Sequence, residues 1–309
     1  MSERTVTPPP AAPPPAPGER VEREFTVKER SQVRLVLRRF LRHRLAVASL
    51  LALIVIALVA FVGIRFWPHL YTIPDQPGSI GPRAANPFGT DDVGRDYFAR
   101  VLRGVQQSLK VAAIVMLLSS GIGAPYGAIS GFLGGRVDAI MMRICDVLLT
   151  LPVLVVAGAL ARGRGTIVTV GLILGLLGWV VNARLVRGVV LSLREQEFIE
   201  AARALGGGTL RIVFRHLLPN AAGAIIVQAT LDIAGAILAE AGLSFLGLGV
   251  QPPDTSLGQL VNEARPAVET RPWLFYFPGL MIIAIALCAN FVGDGLRDAL
   301  DPRQQRQRQ

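Results

Sequence analysis

Three carboxylates stand inside long apolar stretches of the sequence: Asp146, Asp232 and Glu240. In hydrocarbon a charged side chain costs on the order of 3 kcal/mol unless it faces water or a partner, so each is a candidate for a path that a polar solute could follow. Asp232 and Glu240 are eight residues apart. On a helix that spacing places them on roughly one face, about 12 Å apart along the axis, suited to a hydrated cavity that contacts an ammonium group or a polar backbone. Other readings stay open: an i, i+3 ion pair with Arg143 for Asp146, a buried hydrogen bond to a neighbouring helix for Glu240, and protonation for Asp232. A second polar cluster, FGTDDVGRDY over 88–97, carries Gly89, Thr90, Asp91, Gly94, Arg95 and Asp96. It suits either a tight turn locked by internal charge pairs or a surface for a binding partner.

Several chemistries are excluded. A paired-aspartate intramembrane protease would need a Gly-x-Gly-Asp frame, and Asp294 is preceded by Val292-Gly293; the Gly-x-Ser-Gly pattern of a serine-type one is missing at Ser119-Ser120-Gly121. A phosphate cradle ends in Gly-Lys-Ser/Thr, yet the only lysines are Lys28 and Lys110 and neither follows glycine. Cys145 and Cys288 each lie in an apolar stretch, and His43, His69 and His216 lack ligand spacing, so neither a disulfide framework nor a metal site is expected. The formal charge of +10 would invite nucleic acid in a soluble protein, but the basic residues cluster beside apolar runs, so no nucleic-acid partner is expected.

Those runs set the architecture. The chain has 309 residues, of which 51% are hydrophobic, and a mean hydropathy of +0.47, which makes membrane lipid its expected solvent. A bilayer core needs roughly 20 apolar residues in helix. Six stretches approach that length, at about 45–67, 109–132, 139–161, 166–186, 219–247 and 274–293. The first is too long for the apolar region of a signal peptide. Gly121, Gly123, Gly127 and Gly131 would allow close helix approach, and Pro152 a bend. Residues 1–24 read as a disordered proline-rich arm and 25–44 as a basic juxtamembrane segment; 68–108 reads as an external loop, 109–293 as the core and 294–309 as a tail. Arginines crowd the flank before the first helix, the loop between the fourth and fifth and the C-terminal tail, which places both termini and that loop in the cytoplasm by the positive-inside rule.

The loop, 187–218, has its own plan. Helix formers run from 195 to 205, three glycines interrupt at 206–208, and a second short helix is expected over 209–217. Phe198, Ala201, Ala202 and Leu205 share one face of the first; Leu210, Val213, Phe214 and Leu217 share one face of the second. Short amphipathic helices have little stability alone and need a partner surface, either lipid, their own bundle or another protein.

Glu200-Ala201-Ala202, Leu205, Gly206, Ile212 and Leu218-Pro219 resemble the EAA loop of ABC importer permeases. The segments 88–97, ARLVRG over 183–188, LSLRE over 191–195, AEAGLSFLGLGVQPP over 239–253 and GDGLRDALDPR over 293–303 resemble the C-type permeases of dipeptide, oligopeptide and nickel importers. Gly207-Gly208 stand where Ala-Ser is common in that family, and Asp232 where a small or apolar residue is. The resemblance implies an all-α membrane protein, a six-helix bundle of the type I ABC importer permease kind, in a bacterial inner membrane. It further implies half of a pore shared with a B-type permease subunit, a coupling helix docked on one or two cytoplasmic ABC ATPase subunits, and an extracytoplasmic solute-binding protein. ATP and Mg would sit on the ATPase partners, with no cofactor on this chain. A proton-coupled carrier is the rival reading of the intramembrane carboxylates, and it would have no use for an ATPase-docking loop.

Overall fold

The computed structural model describes residues 32–161 and 165–300. The expected proline-rich arm and most of the tail lie outside them. Among the described residues the chain is all helix and connecting loop, without strands. A short basic helix, α1 (Gln32–Phe40), precedes α2 (Arg44–Phe61). Long helices follow: α3 (Tyr97–Leu133), α6 (Ile167–Leu193), α9 (Leu218–Phe245) and α11 (Trp273–Leu300). Shorter ones lie between them: α4 (Gly135–Thr150), α5 (Val153–Ala161), α7 (Glu197–Ala204), α8 (Thr209–Ile212) and α10 (Leu257–Ala264).

Among the described residues five segments are long and apolar enough to cross a bilayer: Arg44–Phe66, Tyr97–Leu133, Ile167–Leu193, Thr209–Phe245 and Trp273–Leu300. The stretch expected as one span over 139–161, with a bend allowed at Pro152, is two helices, α4 and α5, bent by 76°. The break falls where Pro152 cannot donate a backbone hydrogen bond and pushes the residue before it out of the helical region; Leu151 is accordingly extended at ψ 128°. The short helix expected over 209–217 is not separate either. It runs into the following span through a π-helical turn, Val213–Leu217, in which the Leu218 amide reaches back to Val213, and Pro219 removes one donor from the helix just past that turn. Helix α3 begins well before the expected 109, because Asp96 caps it by accepting from the Ala99 amide at 2.8 Å.

Between apolar helices in lipid there is no hydrophobic driving force, so close backbone approach and hydrogen bonds hold the bundle. The main crossing pairs α3 with α6. A Cβ on Gly123 would sit 2.5 Å from the Trp179 carbonyl oxygen, and one on Gly127 would overlap Ala183 backbone. Gly175 of α6 returns the arrangement against Leu118. Gly121, read from sequence as a member of this set, meets nothing within 4 Å. The chain shuttles between two ends. At one, Phe40 and Ala46 pack with Val292 and Ala299, and Arg194 donates to the Gly131 carbonyl at 3.1 Å. At the other, the loop after α2 meets the start of α3, where Trp67 donates to Asp96 at 3.1 Å.

The crossing makes a paired prediction. Gly127→Val should lower the yield of folded protein in mild detergent and its melting temperature, at a cost of about 1–3 kcal/mol, because a backbone clash cannot be relieved by a rotamer. Gly121→Val should leave both close to wild type.

Candidate functional site

At the end that holds α1 and the last turn of α11, helices α7 and α8 form a braced loop. Its hinge is a glycine turn. Gly206 adopts φ +77°, its amide donates to the Arg203 carbonyl, and that of Gly207 donates to the Ala202 carbonyl, which together close α7. A Cβ on Gly207 would lie 2.7 Å from the Ala202 oxygen, so a side chain there would need the turn to shift. Ile199, Ile212, Val213 and Leu217 are fully buried against Ala128, Phe132, Val186 and Val190. The Arg203 guanidinium lies 4.7 Å over the Phe132 ring. Asp138 at the start of α4 accepts two hydrogen bonds from Arg187 at 2.6 Å and one from Ser130 at 2.5 Å, tying α3, α4 and α6 together under the loop.

The apolar faces read from sequence are divided by this packing. Phe198, Ala201, Leu205, Leu210 and Phe214 stay exposed, Leu205 at 89% and Phe214 at 54%, whereas Val213 and Leu217 turn inward. Glu200, Gly206 and Pro219 are also exposed, Ala202 and Leu218 are half-buried, and Ile212 is buried. The loop thus rests on its own bundle by one set of side chains and offers another outward.

At the opposite end the 88–97 segment is an internally bonded lock. Gly89 and Gly94 take φ +74° and +92°. The Thr90 hydroxyl accepts from the Ile80 amide and donates to the Pro77 carbonyl. Buried Asp91 accepts from the Arg95 amide at 2.8 Å, from its Nε at 2.6 Å and from Arg100 at 3.0 Å. Asp96 accepts from Trp67, Asn86 and the Ala99 amide. Arg100 reaches on to Glu263 at 2.7 Å. Arg103 and Gln107 both donate to Asp254 in the loop before α10. Sequence reading did not single out Asp254 and Glu263. Their signal was indirect: Arg100, Arg103 and Gln107 fall at i, i+3 and i+7, one helical face that demands acceptors. An open cavity of about 620 Å³ lies beside this clasp, lined by Ala161, Thr166, Ile167, Leu248, Gln251 and Asp254.

The three intramembrane carboxylates lie in separate settings. Asp146 is half exposed and pairs with Arg184, with Arg143 at 3.9 Å. Asp232 accepts from Asn182 of α6 at 2.6 Å and from Gln228 at 3.0 Å. Glu240 is fully buried and accepts from Ser108 at 2.9 Å and Ser244 at 2.6 Å, so it and Asp232 share a helix and no hydrogen-bonding partner.

Residues 123–306 match the family of the binding-protein-dependent transport system inner membrane component, and residues 31–83 match the N-terminal TM domain of oligopeptide transport permease C. The chain belongs to this permease family. The permease is 43% identical over 272 residues to the oligopeptide transport system permease protein OppC of Mycobacterium tuberculosis H37Rv, covering 87% of this chain and 94% of that one. It is 41% identical over 277 residues to the dipeptide transport system permease protein DppC of Bacillus subtilis 168, covering 87% and 85%. Among solved structures, an inward-facing form of the MetNI methionine ABC transporter shares the fold at TM-score 0.54 and 20% identity, over 65% of the permease and 96% of that chain. The permease is therefore a multi-pass inner-membrane subunit of an ABC importer.

The Asp254 clasp carries a pH test. Burial pushes its carboxyl up, but the hydrogen bonds from Arg103 and Gln107 and the Arg103 charge outweigh burial, and the group lies below the usual value of 3.8. A lowered folded value means stability that is complete above about pH 4 and lost as pH falls through that lower value. Asp254→Asn should cost about 1–2 kcal/mol at pH 7. Thermal unfolding in detergent should also show a shallower acid limb for the variant than for the wild type.

Proposed function

We propose that this permease forms half of the pore of an ATP-driven importer of di- or oligopeptides, and that the 187–218 loop couples it to cytoplasmic ABC ATPase subunits. The observation that carries this reading is the outward apolar rows, Phe198 and Ala201 on α7 with Leu205 at its cap, and Leu210 on α8 with Phe214 in the π turn, presented by a loop whose other face is anchored to the bundle. A patch of this kind is costly in water and fits a groove on a partner. The peptide cargo is supported by the relatives, whose names specify oligopeptide and dipeptide transport.

The termini and this loop then face the cytoplasm, in keeping with their arginine content. A B-type permease supplies the other half of the pore, one or two ATPases bind ATP and Mg, and an extracytoplasmic solute-binding protein delivers cargo near the 88–97 lock. The mechanism is mechanical. Closure of the ATPases displaces α7 and α8; the buried set around Ile199 and Ile212 passes that displacement to α3 and α6, and the Asp138–Arg187 clasp passes it to α4. Differential contact of this kind shifts a bundle between its two open states. Of the intramembrane carboxylates, Asp232, only partly buried and held by α6, is assigned to the translocation path; Asp146 flanks it, and Glu240 fastens α9 to α3.

Three variants test the coupling. Glu200→Arg, Gly206→Pro and the pair Leu205→Ser with Phe214→Ser should each leave the permease inserted, yet lower substrate-stimulated ATP hydrolysis of the assembled complex by about tenfold or more, the equivalent of about 1.4 kcal/mol of lost coupling. Wild-type stimulation in all three would remove the role. Asp232→Asn should reduce uptake in vesicles while the complex still assembles; uptake unchanged across pH would return Asp232 to a purely structural part.

A further inference from the structure

Helix α1 is too short to span a bilayer, being nine residues long, and its surfaces are unusually divided. Phe40 is buried against Val292 and Ala299, with Val36 beside them, so the helix is fixed to the bundle. Outward, Arg34, Leu37 and Arg38 on the helix, Leu41 and Arg42 in the turn that ends it and Leu45 at the start of α2 are all exposed. Leu37 and Leu41 are 56% and 59% exposed. The leucines lead into the exposed apolar side of α2 at Leu51, Val55 and Leu58, which faces acyl chains in a spanning helix. A small cavity of about 130 Å³ is lined by Leu35, Arg38, Arg39 and Arg42. Among the described residues none of these three arginines takes part in an ion pair, and Asp298 of α11 faces His43 instead, at 3.8 Å.

We propose that α1 and the turn that follows it form an interfacial element whose Arg38, Arg39 and Arg42 hold the headgroups of anionic phospholipids while Leu37 and Leu41 enter the acyl boundary. Guanidinium forks match phosphate oxygens two at a time, and three of them around one small cavity concentrate that chemistry. A soluble acidic partner would satisfy the arginines and leave the leucines in water. A lipid surface satisfies both, because charge and apolar side chains change over at the same depth in the headgroup layer. The leaflet concerned is the one at the end of the bundle where α1 and the end of α11 meet.

The test uses the full chain in nanodiscs of mixed phosphatidylcholine and phosphatidylglycerol, with retained lipid counted by native mass spectrometry. Wild type should retain phosphatidylglycerol in excess of its share. The triple variant R38Q/R39Q/R42Q should lose that excess by about fivefold or more, R42Q alone by a smaller factor, and the triple Arg→Lys variant should keep most of it. R136Q, which changes an exposed arginine at the same end, should match wild type. L37Q/L41Q should also retain less. An unchanged lipid ratio in the triple Gln variant overturns the proposal. So does a free-anion site, seen as displacement of phosphatidylglycerol by inorganic phosphate with L37Q/L41Q behaving as wild type.

Discussion

Where α3 and α6 cross, backbone lies against backbone with no side chain between, and most of what the permease can do follows from that contact. Gly123 and Gly127 bring α3 onto Trp179 and Ala183, in a solvent that offers helices no hydrophobic reason to associate. The crossing fixes the register that lets Arg187 reach Asp138 and Arg194 reach the Gly131 carbonyl. It also builds the platform of Ala128, Phe132, Val186 and Val190 under the α7–α8 loop. Asn182, on the same stretch of α6, is thereby set to hold Asp232. A loop seated on a rigid pair of helices can deliver a push; one seated on a flexible pair would absorb it.

Charge follows a second constraint, that an ionised side chain without a partner is costly in the region lipid covers. Near the first turn of α3 the solution is a chain of pairs: Arg95 and Arg100 on Asp91, Arg100 on Glu263, Arg103 on Asp254. This chain joins the 88–97 segment to the α9–α10 region, so the proposed delivery surface and the 620 Å³ cavity are tied to one another. Deeper, Glu240 is enclosed by hydroxyls of Ser108 and Ser244. At the opposite end the arginines of α1 take part in no ion pair among the described residues, in keeping with the role proposed for them toward the membrane surface.

The apolar rows of α7 and α8 illustrate why two faces were confused in one pattern. Periodicity groups Phe198, Ala201, Ala202 and Leu205, and Leu210, Val213, Phe214 and Leu217, as single stripes. Yet side chains one residue apart on a helix lie about 100° from each other, so when Val213 and Leu217 meet the bundle Phe214 is left facing outward.

The sequence alone determined the class of the protein and its bilayer solvent, because runs of some twenty apolar residues with arginines at their flanks have no other stable environment. It also determined the family, through the residues that resemble the EAA loop and the 88–97 segment, and the glycine break at 206–208, since few residues adopt φ +77°. Tertiary structure decided what pairwise contact decides. It set the bend at Pro152 to 76°, chose Gly123 and Gly127 over Gly121 for the helix crossing, and started α3 at Tyr97, in a segment whose polar side chains are received by Asp91, Asp254 and Glu263. It separated Asp232 from Glu240, because hydrogen-bonding partners come from other helices, and linear spacing records only which residues share a face, not what that face meets.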